Sequence, residues 1–516
     1  MNSILPKKLT KENIILLGFI IAKFVIQYTL ISPEYDLQRD EYLHLDQAHH
    51  LAWGYLSVPP VTSWISSLIY FLGNSIFWVK FFPALFGALT LLVVWKTTEV
   101  VKGNLTALIL GATCILFSAL LRLNTLYQPN SLDVLCWTTF YFVLINYFET
   151  NNPKWFFVAA LVFAVGFLNK YNIAFLLMGL LPAILLSEHR TMFGRKQLYF
   201  SILLGAILTF PNLLWQYNND FPVYHHLKQL ADTQLVNVNR LDFFKGQLLF
   251  FIGSLFVIGS ALYALLFYAP FKKFQLFFWA MVFTLTVFAY LKAKDYYAIG
   301  LYPIYISFGA VFIADKLKEG WKKYLQPVAV AIPIIVFLPL FNIIFPNKSP
   351  EYIMLHAERY KKFGLLRWED GKDHALPQDF ADMLGWKELA EKVDSIAATL
   401  PNLEHTLILC DNYGQAGAIN YYTKNKKVIA SSFNADYIDW LNLEQVIEDV
   451  ILVKEMDDED KERTIEKPYF DSVYLAGKRI NQYAREPEIS VYVLRGAKID
   501  VKKRIIAERN QKKTYH

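Results

Sequence analysis

Charge is what this sequence has least of. Only 19% of its 516 residues are Asp, Glu, Lys or Arg, against 55% hydrophobic residues, whereas a soluble domain carries about 25% charged residues. That deficit excludes an ordinary water-soluble chain and points to a polytopic membrane protein. Cysteine is scarce as well: Cys114 and Cys136 fall in apolar segments and Cys410 stands alone in the C-terminal part, so no disulfide can form within that part. A glycine-rich nucleotide signature is missing. The glycines of DNYGQAGAINYY (411–422) are too few and wrongly spaced for a dinucleotide fingerprint, which favours a strand-to-helix turn. No inverted internal repeat of the transporter kind is visible. The net charge of +6 is spread thinly over loops and carries no nucleic-acid signature. Long apolar runs are also absent beyond residue 345, so the membrane part ends there.

Up to that point, apolar runs of roughly 20 residues, the length that crosses a bilayer, recur from residue 13. They divide into about eleven expected spans: 13–32, 76–98, 104–121, 131–148, 155–169, 172–187, 197–215, 246–268, 274–291, 297–314 and 324–345. Residues 155–187 read equally as two spans or one broken helix, since only Asn169-Lys170-Tyr171 separates the halves. The first span is preceded by Lys7, Lys8 and Lys11 and lacks a small-residue cleavage site, so it is expected to be retained. Basic residues gather in alternate loops (Lys102, Lys154, Arg190-Arg195-Lys196, Lys272-Lys273, Lys316 to Lys323), which sets the N-terminus in the cytoplasm. An odd span count then puts loop 33–75, loop 216–245 and the C-terminal part on the external face. The expected organisation is a transmembrane domain, 1–346, followed by an external α/β domain, 347–516. In the latter, helical periodicity covers 378–399, and short apolar runs at 407–410, 427–430, 449–453 and 489–494 read as strands.

The most unusual stretch is RDEYLHLDQAHHLAWGYLSVPPVTSW, residues 39–64, directly after the first span. Carboxylates beside hydrocarbon must be solvated, paired or used. Spacing predicts a helix over 41–55, with Leu45, Ala48, Ala52 and Tyr55 on one face, lying along the membrane surface. The plain alternative is a wet loop with a Pro-Pro turn.

An acidic pair after the first span, then Leu-Ala-Trp-Gly-Tyr and a double proline, resembles the bacterial branch of the protein O-mannosyltransferase and aminoarabinose-transferase group, glycosyltransferase family 39. The DMLGWKEL and DNYGQAGAINYY blocks resemble the external domain of the same group. The resemblance implies a C-type membrane glycosyltransferase fold in the bacterial inner membrane. It implies transfer of a hexose or pentose from a polyprenyl-phosphate sugar to a hydroxyl or phosphate on a lipid, glycan or protein acceptor. The active site would face outward, and the transfer would proceed with inversion.

Such a displacement needs one carboxylate base and cations for the leaving phosphate. The resemblance assigns Asp40 as base, Glu41 as its neighbour for positioning or ligation, and Asp133 as a second acid. The alternatives are helix caps, with Ser131 a competing cap beside Asp133. Lys170, Lys292, Lys294 and Tyr297 match places where relatives keep basic and tyrosyl residues, and would hold the donor phosphate. Arg122 is a weaker candidate, and lysines also snorkel at span ends without any ligand. For a metal the candidates are Glu41, His225 and His226, though adjacent histidines on a helix diverge and are commonly solvated. Relatives tend to carry an acid before the proline corner where this chain has Ser57-Val58-Pro59-Pro60. A divalent cation is therefore in doubt, leaving Glu41 with His44, or Asp46 with His50, as weak sets. The rival reading is a transporter or flippase, which would place charges mid-span; here they cluster at span ends. A third reading is a catalytically inactive scaffold.

Overall fold

The structure, a computed structural model, describes residues 10–514; Lys7 and Lys8 lie outside the described residues. It divides into two compact units, one drawing on Phe77–Leu214 and Val238–Phe345 with the N-terminal helix, the other on Ser32–Ile76, Trp215–Asn237 and the chain from Pro346. The loop after the first span thus belongs to the same compact unit as the C-terminal sheet.

The first unit is helical. Each expected span contains a helix, but length revises their number. Among the described residues, five helices are long and apolar enough to cross a membrane: Lys11–Thr29, Ile76–Val100, Asn130–Thr150, Lys196–Asn218 and Gly320–Ile344. Three bent pairs raise the count to at most eight: Ile173–Leu185 with Glu188–Gly194 (106°), Arg240–Phe250 with Ile252–Phe267 (68°), and Asp295–Leu301 with Pro303–Lys316 (49°). The expected eleven are not reached because Leu105–Leu116, Lys154–Asn169 and Leu276–Tyr290 have only 12, 16 and 15 residues. At about 1.5 Å per residue they fall short of a roughly 30 Å hydrocarbon core. Residues 155–187 form two helices, Lys154–Asn169 and Ile173–Leu185, joined through Lys170, Tyr171 and Asn172. Polar residues set the ends. Asn104 Oδ1 accepts the Ala107 N–H at 3.0 Å to start Leu105–Leu116, and Asn151, at φ 51°, closes Asn130–Thr150 in a left-handed conformation that asparagine tolerates.

The second unit is built on a five-stranded mixed sheet: β1 (Thr406–Cys410), β2 (Ala430–Ser432), β3 (Asp449–Glu455), β4 (Phe470–Ile480) and β5 (Glu488–Ala497). Their spatial order is β2-β1-β3-β5-β4. β1 runs parallel to β2 and β3, whereas β5 is antiparallel to both β3 and β4. Three of the expected strands stand where the apolar runs put them. The run at 427–430 is displaced to 430–432, and β4 went unread because its exposed residues and a register shift at Leu475/Gly477 break the alternation. The expected helix over 378–399 is interrupted at Gly385, whose φ of +82° suits glycine and ends helical continuity. After it, Trp386–Ala397 buries Trp386, Leu389, Ala390, Val393 and Ile396, one helical face. That helix has no cap of its own: Asp36, from the loop after the first span, accepts the Trp386 and Lys387 N–H groups at 2.9 and 3.1 Å. A carboxylate at a helix N-terminus satisfies orphan donors and complements the dipole.

Candidate active site

In the second unit the stretch that opens after Gln38 folds as a two-turn helix, Arg39–Asp46, not as the longer helix expected over 41–55. Nor does it lie open on a surface, for Glu41, Tyr42, Leu43, His44 and Leu45 are all buried. Tertiary capture ends it early. Tyr55 folds back, donating to the His50 carbonyl at 2.9 Å and accepting the Ala52 N–H at 3.1 Å, and Asp436 takes the Leu56 N–H at 2.7 Å. Gln38 is the N-cap and Glu41 completes a capping box, its Oε2 accepting the Gln38 N–H at 2.8 Å. Capping by Asp40, the alternative for that residue, is therefore not its role.

Asp40 instead points its Oδ1 at Tyr413, whose hydroxyl donates at 2.6 Å. The Arg39 guanidinium lies over the same ring, 4.4 Å from its centroid. Burial works against the Arg39 charge, but Tyr413, Asp382, Glu486 and Asp40 around it outweigh that and hold it firmly protonated. Tyr413 opens the helix Tyr413–Tyr422, which packs directly on Arg39–Asp46. A Cβ on Gly417 of that helix would sit 2.7 Å from Tyr42 Cβ and 2.8 Å from the Tyr437 hydroxyl. The glycine serves close helix contact, while the strand-to-helix turn expected at this block stands just before it, between Cys410 and Tyr413.

The remaining acids of the loop are structural ties. Asp46 accepts from Tyr437 at 2.6 Å and Asn420 at 2.7 Å, and burial pushes its carboxyl up to about 6 against these donors. Asp436 is likewise raised to about 6 by burial while it holds Leu56 and Gln47. His50 stacks on Trp440 at 4.3 Å, and burial followed by His49 lowers it to about 4. Asp46 and His50 are thus each held by other partners, and Glu41 is engaged in the capping box. His225 lies on Pro222–Thr233 with its Nε2 3.5 Å from Asp220, and His226 follows it. Among the described residues no three His, Cys, Asp or Glu side chains converge to hold a metal. The donor set does not fit one, and no step below depends on it.

In the first unit, Asp133, Lys170 and Tyr297 come together. Asp133, in the first turn of Asn130–Thr150, is buried and accepts from Trp137 Nε1 at 3.1 Å and Asn172 Nδ2 at 2.9 Å. Asn172 also donates to the Tyr297 carbonyl at 2.9 Å. The Lys170 ammonium donates to Asn130 Oδ1 at 2.7 Å and lies 4.6 and 5.3 Å from the Tyr297 and Tyr296 ring centroids. It feels the negative charge of Asp133 and the positive charge of Lys294. Both Asp133 carboxylate oxygens are thus engaged by nitrogen donors, beside the Lys170 turn. Lys294 precedes the short helix carrying Tyr296 and Tyr297, and Lys292 is exposed at φ 51° just after Leu276–Tyr290. Arg122 sits in the turn of Leu120–Leu123, donating to Thr125 at 2.7 Å. Sequence reasoning missed Tyr413 and Asn172. Tyr413 stands inside the 411–422 block and Asn172 directly after Asn169-Lys170-Tyr171, but only folding across 373 and 39 positions reveals their carboxylate partners.

Comparison with known proteins bears on the fold. The family described as dolichyl-phosphate-mannose-protein mannosyltransferase matches residues 57–215. The lipid A galacturonosyltransferase RgtD of Rhizobium johnstonii is 24% identical over 242 residues, 45% of this chain and half of the length of that relative. Crystal structures of ArnT from Cupriavidus metallidurans, bound to undecaprenyl phosphate and in the apo state, superpose with TM-scores of 0.62 and 0.63. Both share 12% identity with this chain, covering 94% of it and 98% of ArnT. At that identity the likeness shows the fold, and the fold is the one the first-loop motif implied.

Proposed function

We propose, on the premise that the chain is a family 39-like membrane glycosyltransferase of the C type, that it moves a hexose or pentose from a polyprenyl-phosphate donor to a hydroxyl or phosphate of a lipid, glycan or protein acceptor. The observation that carries this reading is the Lys170 cluster. Two ammonium groups within electrostatic reach, Lys170 and Lys294, are balanced inside the first unit by the Asp133 carboxylate. Like charges held together are costly unless an anion joins them, and a phosphate monoester is an anion that lysines bind as point charges. Tyr296 and Tyr297 support the Lys170 charge through their ring faces.

The chemistry then balances without an acid partner. The acceptor O–H loses its proton to Asp40 as the acceptor oxygen bonds to the anomeric carbon. The bond from that carbon to the phosphate oxygen breaks, and its electron pair leaves on the polyprenyl phosphate. A single displacement inverts the anomeric configuration. In the bacterial inner membrane, with the N-terminus cytoplasmic, the loop after the first span, which carries Asp40, would lie on the periplasmic side, and the sheet with it, since both belong to one compact unit. Mass spectrometry of lipids and glycans from a deletion strain tests the reading. One glycosylated species is expected to disappear and to return with the wild-type gene. An unchanged glycan and lipid profile would remove the proposal.

A further inference from the structure

We infer that Tyr413, supplied by the sheet unit, is a positioning residue for the reaction: its hydroxyl orients the Asp40 carboxylate. This rests on the reading of Asp40 as the base. The bond is short and charge-assisted, 2.6 Å from the phenol to Oδ1. Burial, foremost, raises the Tyr413 phenol well above its usual range, so it keeps its proton and Asp40 is the acceptor.

The hydroxyl is fixed in place from several directions. Asn412 is the N-cap of the Tyr413–Tyr422 helix, accepting the N–H groups of Gly414 and Gln415 at 2.8 and 3.1 Å. Its amide donates in turn to Glu455 at 2.6 Å and Glu486 at 2.8 Å. Gln415 donates to the other Glu486 oxygen at 2.8 Å. The first turn carrying Tyr413 is thus anchored to β3 and to the turn between β4 and β5, both parts of the sheet. From the opposite side Arg39, the residue before Asp40, covers the Tyr413 ring. Asp40 therefore receives its geometry from the sheet, although it is borne on the short Arg39–Asp46 helix. A base displaced by a fraction of an ångström loses much of its effect, so such support has a catalytic consequence.

The charged and titratable groups around Asp40 within this unit are Arg39, Glu41 and His44 on its own helix, Tyr413 on the packed helix and Asp382 before Trp386–Ala397, with Glu486 acting on Arg39. Among them Tyr413 is the one shown donating to Asp40 Oδ1. Removing a donor from a carboxylate disfavours its charged form. The test uses the full chain in lipid nanodiscs with a polyprenyl-phosphate sugar donor, and reads turnover against pH. Tyr413→Phe, which keeps the ring under Arg39, is expected to move the acidic limb of the profile up by about half to one pH unit, with donor KM unchanged. Placing 3-fluorotyrosine at 413, a stronger donor, is expected to move the limb down, and this arm stands if Tyr413→Phe does not fold. An acidic limb that stays put in the folded variants overturns the inference. Asp40→Asn, measured alongside, separates the two levels. If it retains turnover, the base assignment fails and this inference with it; if it is inactive while the limb is unmoved at 413, only the role of Tyr413 fails.

Discussion

Asp40→Asn is expected to insert and fold, to bind the polyprenyl-phosphate donor as the wild type does, and to lose turnover by at least about a hundredfold. The acceptor hydroxyl becomes acidic only as its bond to the anomeric carbon forms, so a carboxylate beside it stabilises the transition state far more than bound substrate. Asparagine keeps the size of the side chain and still accepts the Tyr413 hydroxyl through its carbonyl oxygen, but it cannot take the proton. Helix capping gives no competing explanation, since Gln38 and Glu41 perform it. The check is kcat at saturating donor on correctly inserted protein, together with donor binding. Near-normal turnover would remove Asp40 as base.

Gly417→Ala is expected to damage the helix contact that carries Asp40 although it touches no charged group. The new methyl would stand 2.7 Å from Tyr42 Cβ, 3.1 Å from the Tyr42 backbone carbon and 2.8 Å from the Tyr437 hydroxyl. Overpacking of this kind costs about 1–3 kcal/mol, and part of it would be relieved by pushing the Arg39–Asp46 helix off its partner. A lowered melting temperature and a turnover reduced about tenfold or more are expected, because the displaced helix carries Asp40. Gly18→Ala is the control. Gly18 lies within Lys11–Thr29 with nothing inside 4 Å of an added Cβ, and alanine is the better helix former. Equal stability and activity in Gly417→Ala and wild type would contradict the close helix contact.

Hydropathy made the helical segments legible, since lipid-facing and buried positions alike demand apolar side chains. It left their number open: a twelve-residue helix such as Leu105–Leu116 has a span's composition without its length. In the sheet unit, β1, β3 and β5 were readable as apolar runs because both faces are covered, whereas β4, at the sheet edge with much of its surface exposed, was not. The 39–64 stretch was recognisable as unusual from its acids, yet its helix was over-extended. Local periodicity favoured 41–55, but buried bonds from Asp436 and Tyr55 captured the chain after His49. The site divides in the same way. Asp40, Asp133 and Lys170 announce themselves as charges next to spans. Tyr413, Asn412 and Asn172 are ordinary polar residues whose meaning comes only from the groups that folding sets against them.

The central claim is transfer from a lipid-linked phosphate by a single displacement, and product stereochemistry tests it most directly. Purified protein in nanodiscs would be given a polyprenyl-phosphate sugar of defined anomeric configuration and the acceptor identified from the deletion strain. The product would be read by NMR and the released lipid by mass spectrometry. The account predicts one polyprenyl phosphate released per glycoside formed, with the anomeric configuration inverted. Retained configuration, or transfer from a nucleotide sugar with no lipid phosphate released, would contradict it.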